Sequence, residues 1–213
     1  VIVTFKPAPP NHGYKFCRTD LPGAPLIDAI AENVTETSRG TTLVQGEASV
    51  ATIEHILAAF AGMRVDNALI EINGPEAPIM GGSSRMFVEA IKKAGIVEQE
   101  EERNYYAIRE KITFSDEEHG VDLIIYPDDR FSAHVLIDYN SKILGNQYAI
   151  LDQIDDFEKE IAGSRTFVFF HELEPLFRMG LIRGGDLENA VVILEREVEQ
   201  EEIDRIAKMF NKP

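Results

Sequence analysis

The chain has no tryptophan and a single cysteine, Cys17, in 213 residues. One cysteine cannot close an internal disulfide, which points to a cytoplasmic rather than a secreted protein. No run reaches the roughly 18 consecutive apolar residues that a membrane-spanning helix needs. The opening residues, VIVTFKPAP, carry no basic, apolar leader. They read as a strand entered partway, so the expectation is a sequence that begins inside a longer one. Basic residues are also scarce. The 21 Lys and Arg against 37 Asp and Glu leave a formal charge of −16. That balance argues against non-specific nucleic-acid binding, which needs clustered cations to neutralise phosphates. An anionic substrate would require a local positive patch against the overall field.

What is present is ordinary for a globular protein, with 44% hydrophobic and 27% charged residues. The length suits one large domain or two small ones, each with its own core. VIVTFKP alternates like a strand, and YKFCRTDLPGAPLI turns at Pro22-Gly23 within a loop or hairpin. Ser49 is a candidate helix N-cap, because Ile53, Ile56, Leu57, Phe60 and Met63 follow at three- and four-residue spacing and Gly62 offers a stop. NALIEING reads as a strand, PEAPIMGGSS as a loop, and SRMFVEAIKKAGI as a second helix ending near Gly95.

The acidic run from Glu98 to Glu102 cannot sit in a core, and we place a solvated linker there. The expected units are an N-terminal domain over residues 1–100 and a C-terminal domain over residues 104–213. In the second, YAIREKITFSD, VDLIIYPDD and FSAHVLIDYN read as strands and QIDDFEKEIAG as a helix. RTFVFF reads as a short apolar strand, ELEPLFRMGLIRGG as a short helix or bent loop, NAVVIL as a strand and EQEEIDRIAKMF as a last helix. Strands gathered before helices, twice over, predict an α+β fold of two layered domains rather than a doubly wound parallel sheet.

The chemically loaded stretch is SVATIEHILAAFAGM, Ser49 to Met63, which sets Glu54 beside His55. Neighbours on a helix diverge by about 100°, so the two do not touch each other, an arrangement that still allows them to flank one bound ligand. Ala51, Ala59 and Gly62 lie on the face of His55, and such small side chains admit close approach of another helix or a substrate. Spacing alone favours the plain alternative, a partly buried hydrogen-bonded histidine beside an exposed glutamate. A zinc-protease helix is ruled out, since H-E-x-x-H needs a second histidine and Ile53 to Ala59 holds one. His134 and Asp138 have helical ligand spacing, but FSAHVLIDY has strand character, where residues four apart lie about 13 Å apart. Metal–ligand bonds are about 2 Å, so these two do not share an ion. Neither His119, in a turn-like segment, nor His171 completes a set.

The segment TIEHILAAFAGMRVDNALIEINGPEAPIMGGSS, Thr52 to Ser84, resembles the signature region of the UDP-3-O-acyl-N-acetylglucosamine deacetylases, the zinc enzymes of lipid A synthesis. GSRTFVFFHELEPLFRMGLIRGGDLENAVV, Gly163 to Val192, is similar in order and spacing to a second family segment, and FSAHVLIDY fits between them. The likeness covers nearly the whole chain and outweighs the plain reading of His55. It implies that His55 is a zinc ligand, Glu54 the general base, and Thr166 the donor to the oxyanion. The implied reaction is zinc-dependent hydrolysis of the 2-acetamido group of UDP-3-O-acyl-N-acetylglucosamine. The implied fold packs helices between the sheets of the two domains.

The same likeness implies an acyl passage built from an insert over about Phe167 to Gly185, lined by Phe167, Phe169, Phe177, Met179 and Leu181. Each of these residues serves core packing equally well on its own. Together, an apolar insert beside the site suits a lipid substrate. The chain departs from the family at Gly81, where members usually carry Asp. It also lacks the family's early H-T-G motif and the later H-K-x-x-D and G-H motifs that supply its other ligands. The expectation is therefore a chain truncated at both ends that is inactive alone, offering one zinc ligand. In some Bacteroidetes relatives the deacetylase continues into a hydroxyacyl-dehydratase domain. The alternative is a non-catalytic module that binds an acylated sugar nucleotide.

Overall fold

A computed structural model describes residues 1–180 and 189–210 of the chain. Its first half runs β1 (Val3–Pro7), β2 (Tyr14–Arg18), β3 (Leu26–Asp28), β4 (Val34–Glu36), β5 (Thr42–Gln45), β6 (Ala48–Ala51), α1 (Glu54–Gly62), β7 (Ala68–Ile72) and α2 (Arg85–Ala94). A four-stranded sheet has the order β1-β7-β2-β3, and a second, three-stranded sheet has the order β4-β5-β6. Central β7 runs antiparallel to β1 and parallel to β2. Its alternation decides which face is covered: Ala68, Ile70 and Ile72 are buried, while Leu69 and Glu71 are half-exposed.

Helices α1 and α2 pack against each other. Ile56, Ala59 and Phe60 of α1 and Phe87, Val88 and Ile91 of α2 point inward at helical spacing and share one core with Phe16, Ile27, Leu43, Val50, Ile70 and Ile72. Gly95 ends α2 at φ +85°, a left-handed conformation that glycine takes without a Cβ penalty. The hairpin around Pro22-Gly23 and the helix end at Gly62 lie where the sequence puts them.

Ser49 does not cap α1. It lies within β6, opposite Val44 of β5, and the helix starts five residues later at Glu54, with Ile53 at the N-cap position. Ala48 and Val50 are buried while Ser49 and Ala51 are not, so the period there is two rather than 3.6. The pairing with β5 overrides the local capping signal.

The second half runs β8 (Ile112–Asp116), β9 (Val121–Ile125), β10 (Ala133–Asp138), β11 (Asn146–Leu151), α3 (Phe157–Glu160), β12 (Phe167–Phe169), α4 (Phe170–Arg178), β13 (Val191–Ile193) and α5 (Gln200–Met209). The expected strands form two separate antiparallel hairpins, β8-β9 and β10-β11, and β11 is an additional strand. Phe170, read from sequence as strand, begins α4 instead. The pair β12-β13 is parallel, and Phe170, Leu173 and Ile206 gather α4 and α5 beneath it with Val168 and Val192. Leu151, Phe157 and Ala162 join the core of the first half. The run Glu98 to Glu102 is exposed and outside helices and strands. Gln99 nevertheless bonds the Ala8 carbonyl and Asn67, and Arg103 bonds Asp66.

The mixture of short, mainly antiparallel sheets and helices is an α+β fold. No helix of the described residues is long and apolar enough to cross a membrane.

Candidate active site at the Glu54–His55 turn

The site grows out of the junction between β6 and α1. At the end of β6 the Ala51 N–H donates to the Pro75 carbonyl and the Ala51 carbonyl accepts from the Ala77 N–H, each at 2.9 Å. The next residue, Thr52, has φ +58°. For a β-branched side chain this is a genuine outlier, at a cost of about 1–3 kcal/mol. Two bonds hold it there: its N–H donates to the Thr41 carbonyl at 3.0 Å, and its hydroxyl donates to Glu76 Oε1 at 2.9 Å. Ile53, 2% exposed, then anchors the turn in the core. Glu54 and His55 follow as the first two residues of α1, both half-buried.

The Glu54 carboxylate accepts a hydrogen bond from the Thr41 N–H. It also sits in the first turn of a helix, where the macrodipole favours a negative charge. The chain passes close at Gly40, where an added Cβ would stand 3.3 Å from Glu54 Oε1 and 3.7 Å from Thr52 Oγ1. Burial pushes the His55 pKa below the ordinary imidazole value, opposed by the charge of Glu54. The imidazole is thus held toward its neutral, ligating form. Of the small residues expected on the face of His55, Ala51 lies in β6 and not in α1, because its N–H and carbonyl pair with Pro75 and Ala77, and Gly62 meets a protein group. A Cβ there would lie 2.0 Å from Cδ1 of Phe157, so that end of the stripe is filled by α3.

Thr166 is fastened to the loop that begins at Pro75. Its N–H donates to the Gly82 carbonyl at 2.8 Å, and its carbonyl accepts from the Val191 N–H at 3.0 Å. Gly82 has φ +74°, and a Cβ on it would fall 1.8 Å from the Asn189 carbonyl oxygen. One loop therefore pairs with Ala51 at its start and with Thr166 at its end. At Gly81 the carbonyl accepts from Arg165 Nε at 3.0 Å, and an added Cβ would meet only Met86 Sδ, at 3.8 Å.

The aromatic residues divide between two faces. Phe167 and Phe169 lie edge to face with ring centroids 5.7 Å apart, and Phe169 stacks on His171 at 5.5 Å. Val168, between them, turns to the α4–α5 core. Phe167 also opens on a cleft of about 390 Å³ shared with Val135, Ile137, Tyr139 and Val191. Phe177, by contrast, packs against Phe210, the residue just past α5, at 5.2 Å, and Met179 is exposed. Leu181 lies outside the described residues.

Among the described residues, no three His, Cys, Asp or Glu side chains gather as a metal set. His134 bonds Tyr148 and approaches Asp152, His119 bonds Asp116, and His171 pairs with Glu195. Protein zinc sites take three or four ligands. His55 supplies one, so the described residues do not by themselves fit zinc. Thr41, Thr52 and Glu76, which shape the turn, were not legible as site residues in the sequence. The only local signal was Gly40, a glycine where the backbone passes a side chain.

The sequence comparisons bear on this geometry. The family model of LpxC, UDP-3-O-acyl N-acetylglycosamine deacetylase, matches residues 1–210. A bifunctional enzyme LpxC/FabZ of Bacteroides thetaiotaomicron is 50% identical over 211 residues, covering 99% of this chain and 46% of that protein. A UDP-3-O-acyl-N-acetylglucosamine deacetylase of Myxococcus xanthus is 43% identical, over 92% of this chain and 62% of its own length. One of Hahella chejuensis is 38% identical, over 100% of this chain and 70% of its own length. The chain thus spans about half the length of the bifunctional relative and about two thirds of the others.

Proposed function

The chain belongs to the UDP-3-O-acyl N-acetylglycosamine deacetylase family, and on that premise we propose that it carries part of the site for hydrolysis of the 2-acetamido group of UDP-3-O-acyl-N-acetylglucosamine, in the cytoplasm. The observation that carries the reading is the strained turn that offers Glu54 and His55 together, with the Glu54 carboxylate oriented by the Thr41 N–H. Glu54 takes the proton from the attacking water and passes it to the departing amine. The Thr166 hydroxyl donates to the oxyanion as the carbonyl becomes tetrahedral. Phe167 and Phe169 offer an apolar surface for the acyl chain, with Phe177, Met179 and Leu181 as its further candidate lining.

His55 is proposed as one ligand of a zinc ion. Since no three candidate ligands gather among the described residues, the isolated 213 residues are expected to hold zinc weakly and to turn over no substrate. In isolation they would act, at most, as a non-catalytic module that binds the acylated sugar nucleotide. The test is Glu54→Ala in the full-length protein, with deacetylation followed by release of acetate. A fall in kcat of about a hundredfold or more is expected, and undiminished turnover overturns the reading. Elemental analysis of the isolated 213-residue chain should find well under one zinc per molecule. Stoichiometric zinc with measurable deacetylation by these 213 residues would overturn that expectation.

A further inference from the structure

Arg39 and Glu172 are 133 residues apart in sequence and form an ion pair between the two halves of the chain, with Arg39 Nη2 2.5 Å from Glu172 Oε1. Both ends of this pair lead to candidate site residues. The other carboxylate oxygen of Glu172 accepts the Phe169 N–H at 3.2 Å, at the start of α4. Arg39 itself has φ +61°, an uncommon conformation for a residue that is not glycine. It is followed by Gly40, which passes close to Glu54, and by Thr41, whose N–H donates to the Glu54 carboxylate. The Thr41 carbonyl in turn accepts from Thr52, the strained residue of the turn. A continuous series of contacts thus runs from Phe169 through Glu172, Arg39 and Thr41 to Glu54.

We infer that Arg39 and Glu172 are a positioning pair that fixes the Thr41 N–H on the Glu54 carboxylate by fastening the loop 37–41 to the start of α4. Neither side chain touches the reacting atoms in this role. A guanidinium suits it because the planar fork holds a carboxylate in one orientation, where a lysine supplies only a point charge. An exposed pair would contribute little to stability, and the side chain of Arg39 is 48% exposed. Its consequence should therefore appear in the geometry of Glu54 more than in the melting temperature. The inference rests on the reading of Glu54 as the proton carrier.

The experiment is a double-mutant cycle in the full-length protein with Arg39→Ala, Glu172→Gln and the pair combined, Arg39→Lys serving as the conservative variant. Gln at 172 retains an acceptor for the Phe169 N–H and removes the charge. Each single substitution should lower kcat about tenfold while KM changes less than about twofold, and the combined variant should be no slower than the worse single one. Arg39→Lys should recover part of the loss. Hydrogen exchange at the Thr41 amide should quicken in Arg39→Ala with the melting temperature unchanged, a readout that does not depend on turnover. Unchanged kcat in Arg39→Ala, losses that multiply in the combined variant, or an unaltered Thr41 exchange rate would each overturn the inference. Glu54→Ala run alongside separates the two failures. If it abolishes turnover while Arg39→Ala does not lower it, only the positioning pair falls. If it leaves turnover intact, the function itself falls.

Discussion

Phe157 occupies the space in which a side chain at Gly62 would stand, its Cδ1, Cγ and Cε1 atoms lying 2.0 to 2.6 Å from an added Cβ. This contact joins α1, the helix of Glu54 and His55, to the α3 segment of the second half. A buried ring cannot give way by tenths of an ångström without moving its neighbours in the core. Gly62→Ala should destabilise the protein by about 1–3 kcal/mol. Equilibrium denaturation of this variant with and without Phe157→Leu checks the cause, since the smaller side chain should recover part of the loss.

Adjacent glycines in PIMGGSS should answer differently. Gly82 has a positive φ and faces the Asn189 carbonyl oxygen, whereas Gly81 has only ordinary van der Waals contact with Met86. Gly82→Ala should cost roughly 2–5 kcal/mol from strain and overlap together. Gly81→Asp, which adds a side chain where only Met86 lies near, should change stability by less than about 0.5 kcal/mol. Denaturant midpoints of the two variants give the comparison directly.

At Thr52 the strain and the hydrogen bond can be separated. Valine keeps the β-branch at φ +58° and loses the hydroxyl that reaches Glu76, while glycine loses the hydroxyl and relieves the backbone. Thr52→Val should therefore be less stable than Thr52→Gly, by about 1 kcal/mol or more. Equal melting temperatures would show that the turn carries no strain.

Tyr14 supplies a pH dependence away from the site. Burial, with the charge of Asp66 adding to it and that of Arg103 opposing, pushes its pKa up to about 12 from 10.0. Its hydroxyl donates to the Val65 carbonyl. Between the two values the unfolded chain has lost this proton and the folded chain keeps it, so stability is full below about pH 10 and falls as pH rises toward 12. Ultraviolet titration should find a phenol ionising near pH 12 that is lost in Tyr14→Phe. Tyr14→Phe should flatten the alkaline loss in denaturation curves.

Much of the scaffold was legible because it rests on local periodicity. The inward residues of α1 and α2, the strand at β7, the Pro22-Gly23 hairpin and the final helix all follow from patterns a few residues long. Ser49 misled because a serine before an apolar repeat looks like a cap, and only its pairing with Val44 makes it strand. The β10-β11 hairpin was half seen, since NQYAIL becomes a strand through its partner rather than through its own alternation. Glu54, His55 and Thr166 are named as candidate site residues through resemblance to a family, and none of them through spacing. Thr52 was illegible for a physical reason: a β-branched residue is the least expected occupant of a left-handed turn, and tertiary bonds to Thr41 and Glu76 impose it. The pairing of Arg39 with Glu172 has no local trace at all.

The contact of Gly82 with Thr166 and Asn189 has a bearing on heredity. Two stretches of the gene more than eighty codons apart encode the two sides of one socket. A chimera joined within the acidic run 98–102 would draw the bare backbone at Gly82 from one parent and the chain path at Asn189 from the other. Its success would depend on whether the parents agree at that single point of contact more than on their average likeness. A lineage that acquires a side chain at position 82 must shift the turn at Asn189, just before β13, in the same step, so the two segments are expected to change together or not at all.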